Sequence, residues 1–423
     1  MYQKATLDNG LRVVTANMPH TRSVCIIVFI GTGSRYETEV EAGISHFVEH
    51  LLFKGTAKRP TAREISGAIE GIGGTLNAAA GREATLYWCK VPVSHFAIAL
   101  DVLVDILSHS RFDPQDVERE RQVIIEEINL GKDSPQHQVD TLIDQLLWPN
   151  HPLGRDVAGT TESVAAISRE MMLGYLQGQY LAGNTVVAIA GNIQHQEMVA
   201  AVTQTMSNRT NLASKLSRPG YLAYQEQPTT RLHIEKKDTE QAHLCLGLPG
   251  LSLLHPKRFT LDLLNVILGE GMSSRLFTEI RDKLGLTYSI YSYVEHFLDC
   301  GSMVISTAVE PKNLPVIIKA TLEQLSQLKE PVSELELAKA KEQVKGRLLL
   351  RLEDSRSVAG WIGGQEILTG RILNTDQVLS IINAITADEL QQLAQELFRD
   401  SQLRLAVIGP VSSQEPLEEL LRL

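Results

Sequence analysis

Three titratable side chains stand in a largely apolar run between Gly43 and Phe53: His46, Glu49 and His50. At about 100° per residue in a helix, His46 and His50 stand one turn apart on one face, with Glu49 beside them. A helix this apolar is expected to be buried. A buried carboxylate between two imidazoles is costly unless it is hydrogen-bonded or lies near a cation. Two histidines four residues apart can reach one zinc ion at about 2.0–2.1 Å each, and zinc sites that keep a water use three protein ligands. Glu49 then reads as the general base for that water. The competing reading is a pair of core histidines with a solvated glutamate.

A third ligand decides between the two, and the run from Asp113 to Gly131 offers one. Asp113 suits a helix N-cap, Pro114 the first helical position and Gly131 the end. On a helical wheel Val117, Val123, Ile124, Ile128 and Leu130 span an arc of roughly 160°, with Glu120 at its centre and Glu127 about 20° away. Two acids in the middle of a face expected to be buried call for a cation. Glu127 is the expected third zinc ligand. Glu120, two turns earlier, is expected to orient a ligand or tune the water. Taken without the histidines, the same helix also reads as a solvated, highly charged one.

These motifs resemble the inverzincin zinc peptidases, the family of pitrilysin, insulin-degrading enzyme and the mitochondrial processing peptidases. The family pattern is His-x-x-Glu-His, then 76 residues, then Glu. Here 76 residues separate His50 from Glu127, and the Glu-x6-Glu pair of the family matches Glu120 and Glu127. The resemblance covers nearly the whole chain and is strongest to the short, bacterial-type two-domain members. It implies one Zn2+ per chain and a metalloendopeptidase acting on peptides or unfolded segments. Gly74-Thr-Leu-Asn-Ala is similar to the family's active-site edge strand, with Asn77 as its substrate-contacting residue; such a strand can bind an extended peptide by strand addition. Ala80 and Gly81 stand where Thr and Ser are expected. Arg281 and Tyr288 match the spacing of the family's Arg/Tyr segment, which reaches the substrate carbonyl. A guanidinium and a phenol are apt donors to a developing oxyanion, although composition alone favours an exposed helix-end arginine and an amphipathic tyrosine. The resemblance further implies a chamber assembled from two subunits. A homodimer is expected, and a heterodimer with a related subunit is the alternative. The other readings are a non-catalytic structural subunit and a peptide-binding partner.

The elements that must position these residues repeat. Asp8-Asn9-Gly10 reads as a hairpin turn and Ser23 to Ile30 as a buried strand. Thr61 and Glu64 form a capping-box pattern for a helix to about Ile72. Strand-like runs follow at Thr75–Ala79 and Ala84–Val91. Val24-Cys25-Ile26 has a counterpart in Leu244-Cys245-Leu246, and Val186–Gly191 one in Leu405–Gly409, near an offset of 218. The fold class is therefore α+β: two homologous α/β-sandwich domains, each a mostly antiparallel sheet with helices packed on it. The expected division is a zinc-binding domain over 1–207, a linker over 208–225 carrying Arg218-Pro219-Gly220, and a domain over 226–423 without metal but with the Arg/Tyr segment. In that second half the helix Phe259–Leu268 replaces the histidine helix and offers only Asp262 and Asn265. Gly360, Trp361, Gly363 and Gly364 mark a small-residue helix or turn.

Composition sets the surroundings. The 423 residues carry a net charge of −10 and include no basic tract, which argues against nucleic acid. Cys25, Cys89, Cys245 and Cys300 show no metal spacing and read as buried free thiols. No apolar run approaches the roughly 20 residues that span a bilayer, and the first ten residues do not read as a leader, so no membrane partner and a cytoplasmic setting are expected.

Overall fold

The computed structural model describes residues 2–207, 220–227, 229–411 and 415–423. Residues 208–219 of the expected linker lie outside them. Two compact units divide the chain. The first comprises Met1–Asn129, Arg155–Leu222 and Leu349–Asn374, and the second Leu130–Gly154, Ala223–Leu348 and Thr375–Leu423. Packing thus differs from a division at the linker. A segment of the first half, 130–154, belongs to the second unit, and a segment of the second half, 349–374, belongs to the first.

The first unit is built on six strands: β1 (Tyr2–Thr6), β2 (Arg12–Asn17), β3 (Ser23–Ile30), β4 (Thr75–Ala80), β5 (Thr85–Pro92) and β6 (Thr185–Gly191). Their order is β1-β2-β6-β3-β5-β4. Only β2 and β6 run parallel; the other neighbours are antiparallel. Strand β3 reads as a continuous apolar run because both of its faces are covered. Val24, Ile26, Val28 and Ile30 join a core with the helices Ile44–Leu51, Ala62–Glu70 and Phe96–His109, while Cys25, Ile27 and Phe29 face Ala359, Ile362 and Ile367. The second group comes from the helix Ser355–Thr369, which accounts for its small residues. A Cβ on Gly363 would lie 2.3 Å from the Phe29 ring and 2.7 Å from Ala188 Cβ. Glycine lets this helix settle onto the sheet.

The second unit has five strands, β7 (Leu232–Lys236), β8 (Ala242–Pro249), β9 (Ile290–His296), β10 (Gly301–Val309) and β11 (Arg404–Gly409). Their order is β7-β11-β8-β10-β9, again with one parallel pair, β7 with β11. This is the first sheet without β1. Cys25 pairs with Ala190 and Cys245 with Ala406. Gly191 and Gly409, which end β6 and β11, make the same contact, each accepting from the first N–H after the parallel neighbour (Met18 and Lys237), and they stand 218 residues apart as expected from sequence. All four cysteines are buried, and none forms a disulfide among the described residues. Among the described residues, no helix is long and apolar enough to cross a membrane.

Candidate metal centre

The histidine helix, Ile44–Leu51, buries Ile44, Phe47, Val48 and Leu51 and leaves His46, Glu49 and His50 only partly covered. Its start is fixed from a distance. Gly43 has φ 94°, open to glycine at little cost, and a Cβ there would meet the Ala158 carbonyl at 2.5 Å. The buried Glu37 carboxylate accepts from the N–H groups of Gly43 (2.9 Å) and Ser45 (2.8 Å) and from the Ser45 hydroxyl (2.5 Å). Two of the helix's first N–H groups and one hydroxyl are satisfied by one acid, at the end where negative charge is favoured. Burial still pushes Glu37 above the ordinary carboxyl range, against these hydrogen bonds. Arg155 donates to the Glu37 carbonyl (2.7 Å), which gives the His151–Arg155 stretch a structural part.

His46 Nε2 and His50 Nε2 face each other at 3.1 Å, and Glu127 Oε2 is 3.8 Å from both. One ligand atom from each of the three residues lies within 4.8 Å of the others. Tetrahedral bonds of about 2.0–2.1 Å place ligand atoms roughly 3.3 Å apart, so the donor set and its span suit zinc. Both imidazoles are held below their ordinary range. Burial lowers His46, partly offset by Glu127 and Asp156. Burial, His46 and Lys54 lower His50 to about 4. Neutral imidazole is the ligating form.

Glu49 does not join the ligand group. Its Oε2 accepts the Ala80 N–H at 3.2 Å, from the end of β4. Burial raises its pKa, the hydrogen bond opposes this, and Glu127 adds to the rise. The contact that Ala80 provides is main-chain, so no polar side chain is needed at that position. Asn77 sits exposed on β4, which pairs only with β5 and forms the sheet's edge; its Oδ1 accepts the Ala78 N–H at 2.7 Å.

The glutamate helix, Pro114–Asp133, corrects two expectations. Glu120 is 3% exposed, as the wheel required, but its partner is the Lys54 ammonium and not a ligand imidazole. Lys54 in turn acts on His50 through its field. Glu127 is not in a buried face: its side chain is 52% exposed, and Val123 and Leu130 are exposed too. The helix is buried along Val117, Glu120 and Ile124. Ile125 and Ile128 still pack on the core beyond Ile124, while Val123 is exposed before it, so the covered stripe is narrower than the arc drawn on the wheel.

Arg281 and Tyr288 lie in the second unit. The arginine sits on a π-helical segment, Phe277–Lys283, a geometry frequent at functional sites. Its Nε donates to the Tyr288 carbonyl (2.9 Å), and its guanidinium lies 4.5 Å from the Phe277 ring centre and 5.7 Å from that of Tyr288. Tyr288 is 87% exposed. The two residues meet each other, with the phenol turned to solvent.

Two histidines and a carboxylate converging within ligand distance, with a separate carboxylate beside them, define a metallopeptidase type of centre. Residues 12–161 match the family described as Insulinase (Peptidase family M16), and residues 166–344 match the Peptidase M16 inactive domain. The chain is 38% identical to the uncharacterized zinc protease YmxG of Bacillus subtilis, over 97% of this chain and 98% of that protein. It is 37% identical to an uncharacterized zinc protease of Mycobacterium leprae, over 99% of this chain and 94% of that protein. The chain belongs to peptidase family M16. Its fold is that of the crystal structure of a protease from Helicobacter pylori (TM-score 0.91, 24% identity, 97% and 99% coverage). A chain of complex III2 from Candida albicans shares it as well (TM-score 0.83, 20% identity, full coverage of both).

Proposed function

We propose that the protein is a zinc-dependent endopeptidase that hydrolyses peptides or unfolded segments. The observation that carries this reading is the convergence of His46, His50 and Glu127 with Glu49 left outside the ligand set. His46, His50 and Glu127 hold one zinc ion per chain. When bound, zinc supplies Lewis acidity and makes water a stronger acid. Glu49 accepts a proton from the attacking water as the water oxygen bonds to the scissile carbonyl carbon. As the C–N bond breaks, the same carboxyl returns the proton to the leaving amine. Its raised pKa favours that return.

Glu120 acts through Lys54, holding the ammonium whose field helps to keep His50 neutral. Asn77 and the open edge of β4 align the substrate as an added strand. Arg281 and Tyr288 donate to the carbonyl oxygen. The protein works as a homodimer that encloses a chamber, with Arg281 and Tyr288 supplied by either chain. The test is cleavage of a quenched fluorescent peptide by the purified chain, with and without a chelator. Turnover that stops on chelation and returns with zinc supports the reading, and turnover indifferent to the chelator contradicts it. Sedimentation decides the dimer: a fully active monomer ends that part of the proposal.

A further inference from the structure

The buried guanidinium of Arg35 has no part in the mechanism above, yet it lies between two segments that matter to it. It is 1% exposed. Nη1 donates to Glu83 Oε1 (2.6 Å), Nη2 donates to the Leu222 carbonyl (3.1 Å), and the group stacks 4.1 Å from the centre of the Tyr221 ring. Tyr36 adds an edge-on contact to Tyr221 at 6.0 Å. The main chain around Arg35 is locked to the turn that follows β4. Ser34 N–H donates to the Gly81 carbonyl (3.1 Å) and Arg35 N–H to the Arg82 carbonyl (2.9 Å), and a Cβ on Gly33 would sit 2.1 Å from the Gly81 oxygen. The residue before Gly81 is Ala80, whose N–H holds Glu49.

The other end of this connection is equally definite. The chain leaves the first unit between Leu222 and Ala223. Beyond Ala223, Tyr224 is fixed within the second unit: its N–H donates to Asp299 Oδ2 (2.8 Å) and its hydroxyl to the Leu147 carbonyl (3.2 Å). A single residue separates an anchor in one unit from an anchor in the other.

We propose that Arg35 is a positioning residue: it ties the crossover at Tyr221–Leu222 to the turn that presents the Ala80 N–H to Glu49, and so makes the placement of the base depend on the docked crossover. The proposal rests on Glu49 being the base. Arg35 grips with a fork and a flat face, one direction for each partner, which a lysine cannot reproduce. Arg35→Lys is the direct variant, but a buried arginine also supports the fold, so Tyr221→Ala is the decisive one. It leaves Arg35 and Glu83 in place and removes only the ring.

Two readouts are taken on the full-length protein. Amide hydrogen exchange over residues 78–84 is expected to accelerate in Tyr221→Ala by about 2- to 30-fold, the range one cation–ring contact spans, while exchange in β3 stays unchanged. The kcat for a fluorogenic peptide is expected to fall by roughly 10- to 100-fold, as for a misplaced catalytic group, with KM and zinc content unaltered. Tyr221→Phe keeps the ring and is expected to restore both. Unchanged exchange over 78–84, or accelerated exchange with an unchanged kcat, overturns the proposal. If the parent chain cleaves no peptide, the proposed function fails by itself, and the exchange measurement still decides whether Tyr221 holds the turn.

Discussion

In the first unit, the helix packed on the edge strand β4 carries His46, Glu49 and His50. In the second, the helix Arg258–Gly269 packs on the edge strand β9 in the corresponding place and carries Asp262 and Asn265. A histidine is present there too, but on the strand. His296 has Nδ1 at 2.6 Å from the Leu251 carbonyl and Nε2 at 3.2 Å from Asp262. Both of its ring nitrogens are used, whereas His46 and His50 turn theirs toward each other. The Asn265 side chain donates to Glu270 (3.4 Å). The difference teaches that the shared sheet does not make the centre. What sets it apart is a pair of imidazole nitrogens turned toward each other, next to an acid on a separate helix.

The sharpest way to break this contrast is to disarm each unit in turn. Glu49→Gln is expected to lower kcat by about 10²–10⁴-fold and to keep the zinc, because Glu49 is outside the ligand set; peptide turnover and metal content measure the two. Asp262→Asn, the corresponding change in the second unit, is expected to leave both unaltered. Parental turnover in Glu49→Gln removes the base assignment.

The outer faces of the two sheets offer a second contrast. Each is covered by a helix from the other half of the sequence, and each close approach needs a glycine. In the first unit the glycine is on the helix, Gly363 against Phe29. In the second it is on the strand: a Cβ on Gly247 would lie 2.8 Å from Ile143 Cγ1, on the helix Pro135–Leu147. Gly363→Ala is expected to destabilise by about 1–3 kcal/mol through overpacking, read from the denaturant midpoint. Gly247→Ala is expected to cost less, because Ile143 and Leu147 flex more readily than a phenyl ring. Equal costs contradict that explanation.

How much of this could be read from residues alone follows the range of each interaction. The histidine helix was legible because its signal lies within one turn and a half. The capping box at Thr61 and Glu64 was legible for the same reason, and the structure contains it. Strand β3 was placed to the residue, since an apolar run covered on both faces is unambiguous. Glu127 was found, though for a wrong reason, since the face around it is open. The Lys54–Glu120 pair was hidden because no local pattern links 54 to 120. Glu37 and Arg35 escaped for a like reason: the partners of Glu37 lie six and eight residues on, at the start of the next helix, and those of Arg35 are Glu83 and Leu222. The exchange of helices between the halves of the sequence was also invisible, because an apolar helix face does not say which sheet it covers.

The smallest expected effect is on pH. His50 is held at about 4, below the ordinary imidazole value of 6.5. Between these values the unfolded chain binds more protons than the folded one, so this group's contribution to stability is complete above 6.5 and is lost as pH falls toward 4. His46 shifts in the same direction, while Glu49 and Glu37, which are raised, oppose them. Comparing metal-free parent with metal-free His50→Asn isolates the term: the variant's melting temperature is expected to fall less steeply over that window. Identical pH slopes contradict it.

The most direct test of the central claim is zinc content per folded chain, measured by atomic emission after gel filtration. The account predicts one zinc in the parent and in Asp262→Asn, and none in His46→Ala/His50→Ala with the far-ultraviolet circular dichroism preserved. One zinc per chain retained by the double-histidine variant would contradict it.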